Sequence, residues 1–182
     1  DFKGVRPEWG YSGAPLVIDG LVFQDCGGRG SSTVAVGLAD GGTVWHAGDD
    51  RAGYGTPVLM EVDGRRCLVL FKAEALVGLN PLSGAELWRY PWKTSYDVNA
   101  ATPLMVGKDR ILITSGYNAG AAVVEVRDGK ASLVWSSKVL RAHINSPVVL
   151  GDYVYGVDGN TGGGNLVCLD ARTGQKIWEE RS

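Results

Sequence analysis

Apolar residues recur along this chain in short alternating runs, and no window holds the three-to-four-residue rhythm of an amphipathic helix. The stretch from Asn145 shows the pattern. SPVVLGD is a brief apolar run closed by a Gly-Asp turn signal, and YVYGVDG alternates aromatic and β-branched residues before stopping at Asp-Gly. LVCLDARTG runs apolar into a turn at Asp170, Thr173 and Gly174, and QKIWEE follows as a last strand. Four short strands with turn residues every ~8–12 positions predict an antiparallel meander.

The meander is written four times. Pro15, Pro57, Pro103 and Pro147 each follow a small residue and precede three apolar ones, as in GAPLVI and NSPVVL. Trp45, Trp88, Trp135 and Trp178 mark the far end of each unit, at intervals of 43, 47 and 43 residues. Two independent markers drifting around one period of ~40–50 residues predict a repeat architecture. The expectation is an all-β fold, a β-propeller of four-stranded antiparallel blades with almost no helix. Blades are expected at about 11–50, 51–95, 96–140 and 141–182, as one segment over 1–182, with 1–10 a connector from a preceding blade. The first strand of each unit is nearly continuous in apolar residues and is expected to be covered on both faces. A sandwich or barrel would not require so regular a repeat.

Composition narrows the function. The 182 residues are 45% apolar and 21% charged, ordinary for a globular protein, and 27 glycines fit many turns. A net charge of −2 with no basic run argues against nucleic acid as a partner. The longest apolar runs are about five residues, too short for a membrane span. Cys26, Cys67 and Cys168 read as small buried hydrophobes. The chain begins with Asp1, not Met, and reads as a processed product or an excised piece.

LDARTGQKIW resembles the tryptophan-docking repeat of the quinoprotein-like (PQQ-repeat) β-propellers, roughly Ala-x-Asp-x-x-Thr-Gly-x-x-x-Trp, with Cys168, Asp170, Thr173, Gly174 and Trp178 at those places. Gly78, Asn80, Ser83, Gly84 and Trp88 form a looser copy, and the units ending at Trp45 and Trp135 are degenerate. EWGYSGAPLV and WRYPWKTSYDVNAATP are similar to a largely uncharacterised bacterial branch related to the propeller lipoprotein of outer-membrane assembly. The resemblance implies that the tryptophans lie flat between adjacent blades and serve structure. It implies that Gly supplies the unusual φ of the turn and lets the next blade's backbone approach. It implies a periplasmic or extracytoplasmic setting and, since such propellers usually have eight blades, half of a ring.

Some relatives of this kind are dehydrogenases that carry pyrroloquinoline quinone and Ca²⁺. No adjacent cysteines stand ready to form the quinone-stacking disulfide of the alcohol dehydrogenases. Asp97 and Asn99 could ligate a metal in principle, but a lone Asp-x-Asn is weak. Asp158, Asn160 and Asn165 in DGNTGGGN lack EF-hand spacing and read as a turn. His46 and His143, with no Ser or Cys partner at an informative spacing, read as surface or packed residues. The reading is a noncatalytic scaffold for protein–protein interaction with no cofactor expected. A segment of a quinone- and Ca²⁺-dependent dehydrogenase is the alternative.

Binding is expected on the face carrying the long connections, DCGGRGSS, GYNAG and DGNTGGGN together with HAGDDRAGYG, YPWKTSYDVNAA and SKVLRAHIN. The richest loop offers Tyr90, Trp92, Lys93, Tyr96, Asp97 and Asn99, the mixture of aromatic and polar groups that interfaces use. The other reading of Trp92 and Tyr96 is that they pack the loop down. An open half-ring would expose two apolar blade faces, so a homodimer completing an eight-bladed ring is expected, with closure as a four-bladed monomer the alternative.

Overall fold

The structure, a computed structural model, describes residues 2–160 and 163–181. The stretch DGNTGGGN therefore lies partly outside the described residues. Sixteen strands form four separate antiparallel sheets, each a meander of four consecutive strands. The first sheet holds β1 (Leu16–Ile18), β2 (Leu21–Asp25), β3 (Thr33–Gly37) and β4 (Thr43–Ala47). The second holds β5 (Val58–Val62), β6 (Arg65–Phe71), β7 (Ala75–Leu79) and β8 (Glu86–Pro91). The third holds β9 (Leu104–Met105), β10 (Arg110–Ser115), β11 (Gly120–Arg127) and β12 (Lys130–Ser137). The fourth holds β13 (Val148–Leu150), β14 (Tyr153–Asp158), β15 (Asn165–Asp170) and β16 (Lys176–Glu180). The only helix among the described residues is one 3₁₀ turn, Ser95–Asp97, and none is long and apolar enough to cross a membrane.

Three apolar cores separate the sheets. Phe23, Ala35 and Trp45 of the first sheet meet Leu68, Leu70, Ala75 and Val77 of the second. Met60, Val69, Phe71 and Trp88 meet Ile111, Ile113 and Val124. Leu112, Val123 and Trp135 meet Val154, Val167 and Leu169. The middle strands β6, β7, β10 and β11 are therefore buried on both faces. The first strands are not: β1, β9 and β13 run only two to three residues and stay half-exposed or exposed. Their apolar runs reflect an edge that closes one side of each inter-sheet core, and the opposite side is left open.

One irregularity repeats in all four sheets. The ladder between the third and fourth strands slips beside the tryptophan, at Ala35/Val36, Gly78/Leu79, Val123/Val124 and Cys168/Leu169. The residues left unpaired are Val44, Leu87, Val134 and Ile177, each immediately before its Trp. A bulge adds local twist and re-aims the next side chain, and here it turns each indole onto the residue opposite it. Trp88 covers Gly78 so closely that a Cβ there would lie 2.1 Å from the ring.

Trp45 rests on Gly84 of the second sheet and donates its indole N–H to Pro81 O at 2.9 Å. Trp135 rests on Gly174 of the fourth and donates to Ala171 O at 3.0 Å. What approaches these glycines is thus the neighbouring indole, where the motif resemblance implied backbone. Asp170 fixes its turn by accepting from Arg172 N, Thr173 N and Thr173 Oγ1. Cys67 and Cys168 are buried; Cys26 is half-exposed, and all three are free thiols.

Candidate functional site

The connections running from each fourth strand to the next sheet share one face with the loops between second and third strands. Backbone bonds tie the two sets together: Gly28 N to Asp50 O at 3.0 Å, Ala73 N to Arg51 O at 3.2 Å, Trp92 N to Glu74 O at 2.9 Å.

The 90–99 loop divides into a root and a tip. Tyr90 and Trp92 pack against the core between the second and third sheets, and the Trp92 indole donates to Ser115 Oγ at 3.1 Å. Asn99 does not face solvent: it is wholly enclosed. Its amide nitrogen donates to Lys72 O and Ala73 O, and its oxygen accepts from Ser115 Oγ and Thr94 Oγ1. The exposed tip carries Lys93, paired with Glu74 at 2.8 Å, and Asp97, paired with Arg51. Lys93 and Arg51 together hold the Glu74 carboxyl below the usual range.

Tyr96 joins an aromatic row that crosses the face. Its ring lies 6.3 Å from Trp9 and 5.2 Å from Tyr117, and Tyr117 lies 4.8 Å from His143. Trp9 also meets Tyr54 at 6.0 Å. Trp9, Tyr54, Val98, Tyr117, His143 and Ile144 line a groove of about 360 Å³. Tyr96, Tyr117 and Asn118 hold φ of 62°, 49° and 60°, a left-handed conformation that bulky residues rarely adopt. Strain of this kind persists where the surroundings enforce it and clusters at functional surfaces. Trp9, Tyr96 and Ile144 are more than half exposed. The His143 Nδ1 is buried without a hydrogen-bond partner, and burial lowers its pKa, so the ring is neutral at pH 7.

Beneath the loops, three second strands end in polar residues that are fully engaged. Asp25 accepts from Lys72 Nζ at 2.7 Å and from Gly53 N at 3.1 Å. Lys72, 1% exposed, also reaches Ser32 O, Ser32 Oγ and Thr33 Oγ1. Burial pushes the Asp25 carboxyl up, against the pull of Lys72. Ser115 bonds Asn99, and Asp158 takes the Arg141 guanidinium at 2.9 Å through both oxygens. These groups do not fit a quinone–calcium site. Asp97 and Asp158 are neutralised by arginines, Asn99 spends its oxygen on two hydroxyls, and no three acidic, His or Cys side chains cluster among the described residues.

Of the loop residues singled out in the sequence, the structure thus brings Tyr96, Asp97 and Lys93 to the surface and turns Tyr90, Trp92 and Asn99 inward. Sequence reasoning missed Trp9, Tyr54, Tyr117 and the Asp25–Lys72 pair. A charged residue directly after an apolar strand, as in LVFQD and CLVLFK, is the signal that marks the pair.

Comparison with known proteins agrees with this architecture. The outer membrane protein assembly factor BamB of Shewanella oneidensis is 26% identical over 176 residues, covering 85% of this chain and 40% of its own length. The chain therefore spans well under half of that relative. The crystal structure of BamB from Moraxella catarrhalis superposes with a TM-score of 0.58 at 18% identity, over 94% of this chain and 62% of that one. Quinohemoprotein alcohol dehydrogenase from Comamonas testosteroni superposes at 0.63 and 14% identity, over 100% and 36%. These two likenesses establish the β-propeller fold. The family profile described as outer membrane protein assembly factor BamB matches residues 6–180, and the chain belongs to that family.

Proposed function

We propose that this chain is a noncatalytic propeller scaffold that binds protein partners through its long-loop face, in an extracytoplasmic setting. It acts within a larger ring that a second copy completes, and it carries neither pyrroloquinoline quinone nor Ca²⁺. The observation that carries this reading is the exposed row Trp9–Tyr96–Tyr117 beside an apolar groove. Aromatic anchors beside paired charges suit a protein interface. The acids of the face are engaged by Arg, Lys or backbone donors, which leaves none poised as a base for alcohol oxidation.

Photo-crosslinking residues placed at 96 and 117 test this in cells of the parent organism. Discrete protein adducts at both sites, and none at Leu82 among the short turns of the opposite face, are expected. Adducts at Leu82 alone would refute it. A quinone titration with Ca²⁺, followed by absorbance, should give no stoichiometric complex; submicromolar binding would instead support a dehydrogenase.

A further inference from the structure

The three inter-sheet contacts in this molecule follow one rule, and two positions at the ends of the chain are left without their counterparts. Trp45 sits on Gly84 and donates to Pro81 O; Trp135 sits on Gly174 and donates to Ala171 O. In both cases the acceptor lies three residues before the glycine, and the glycine has φ near +70°. The first sheet carries the same turn. Gly41 has φ +69°, Leu38 lies three residues before it, and nothing comes within 4 Å of where a Gly41 side chain would begin. At the other end Trp178 is 42% exposed, whereas Trp45, Trp88 and Trp135 are 4–8% exposed.

The faces around these positions match in kind. Strand alternation puts Leu150, Tyr153, Val157, Leu166 and Trp178 on the open side of the fourth sheet, each at least a third exposed. On the open side of the first sheet, Val22 and Val36 occupy the register positions that Leu68 and Leu79 hold in the second, where those two leucines receive the Trp45 face. Val17 and Leu38 extend that side and are more than half exposed. One chain thus displays a tryptophan without a glycine and a glycine without a tryptophan.

We propose that the open face of the fourth sheet docks on the open face of the first sheet in a second copy of this chain. Trp178 of each copy seats on the Gly41 turn of the other, and its indole N–H donates to Leu38 O. This rests on reading the chain as four blades of a larger ring. Two such contacts form at once in a two-fold pair, which leaves no face free to extend into a polymer. At ~800 Å² per partner for both contacts together, the pair reaches the size of a stable interface.

Light scattering after gel filtration tests the ring and the contact separately. The native chain should elute at twice 19.3 kDa at micromolar concentration. Trp178→Ala and Leu38→Glu, made separately at exposed positions, should each return it to a single chain with an unchanged far-ultraviolet CD spectrum. A native mass of 19.3 kDa at every concentration overturns the ring itself. A dimer that survives both substitutions keeps a pair but overturns the Trp178–Gly41 contact.

Discussion

Trp135→Ala and Trp178→Ala remove the same side chain from the same place in two sheets, yet they should differ sharply in the single chain. Trp135 is 8% exposed and Trp178 42%. For an indole burying up to ~250 Å², that gap is roughly 85 Å² of apolar surface, or about 2 kcal/mol at ~25 cal/mol per Å². Trp135 also donates to Ala171 O, and leaving that carbonyl unpaired adds about 1 kcal/mol. Trp135→Ala should therefore cost about 4–5 kcal/mol, within the range for buried tryptophan, and Trp178→Ala about 3 kcal/mol less. Urea denaturation followed by far-ultraviolet CD measures both, at a dilution where light scattering gives one chain. Repeat arrays can lose cooperativity when one contact weakens, so the first transition is the one to compare. Equal midpoints for the two variants would refute the reasoning, because they would mean that Trp178 is already covered within one chain.

Gly84→Ala should cost about 3 kcal/mol, since it adds left-handed strain and a Cβ 2.5 Å from the Trp45 ring. Gly20→Ala, at φ +75° with open space around it, should cost only about 1 kcal/mol. Lys72→Met leaves Asp25 buried and unpaired and should cost about 3–5 kcal/mol by urea denaturation; a loss under about 1 kcal/mol would contradict the observed burial. Burial alone would raise the Asp158 carboxyl, but the Arg141 bonds outweigh it and hold the pKa below the usual range. The unfolded chain then binds more protons in that window, so this contribution is present above about pH 4 and lost as pH falls through the folded value. Asp158→Asn should flatten the fall of the urea midpoint below pH 4 without abolishing it, because Glu74, Asp170 and Glu179 shift the same way. Tyr96→Gly should hold or raise the midpoint by up to about 1 kcal/mol by relieving φ 62°, while weakening partner adducts at position 117.

The fold was legible because its signals are local and repeated. A Pro at each sheet's entry and a Trp at its exit recur whatever the loops do, and strand alternation follows from a period of two. The bulge residues Val44, Leu87, Val134 and Ile177 were readable too, as an apolar residue before every Trp, yet the meaning of that column depends on a ladder register that spacing alone does not give. The site was half legible. Tyr90, Trp92 and Asn99 have the composition of an interface and the burial of a core, and only packing against Ser115 and Lys72 separates those roles. Trp9 and Tyr117 lie 108 residues apart and reach one groove because the connector folds across the face, a long-range fact with no local trace.

The distribution of polar groups explains how one repeated sheet can carry a particular surface. Each inter-sheet core is apolar and nearly interchangeable, so it can specify stacking but no loop conformation. At the loop roots the solutions differ: Lys72 on Asp25, Asn99 on Ser115, Arg141 on Asp158. Each of these groups is engaged, and a buried polar network holds its surroundings only when every member is satisfied. The roots therefore hold their loops in single conformations, left-handed tyrosines included, before any partner arrives. A surface already ordered loses less entropy on binding, so the same buried pairs that stabilise the sheets also prepare the exposed aromatic row for contact. That coupling places the particular character of this chain in its root pairs and loop tips, and leaves the tryptophans and glycines to set the ring.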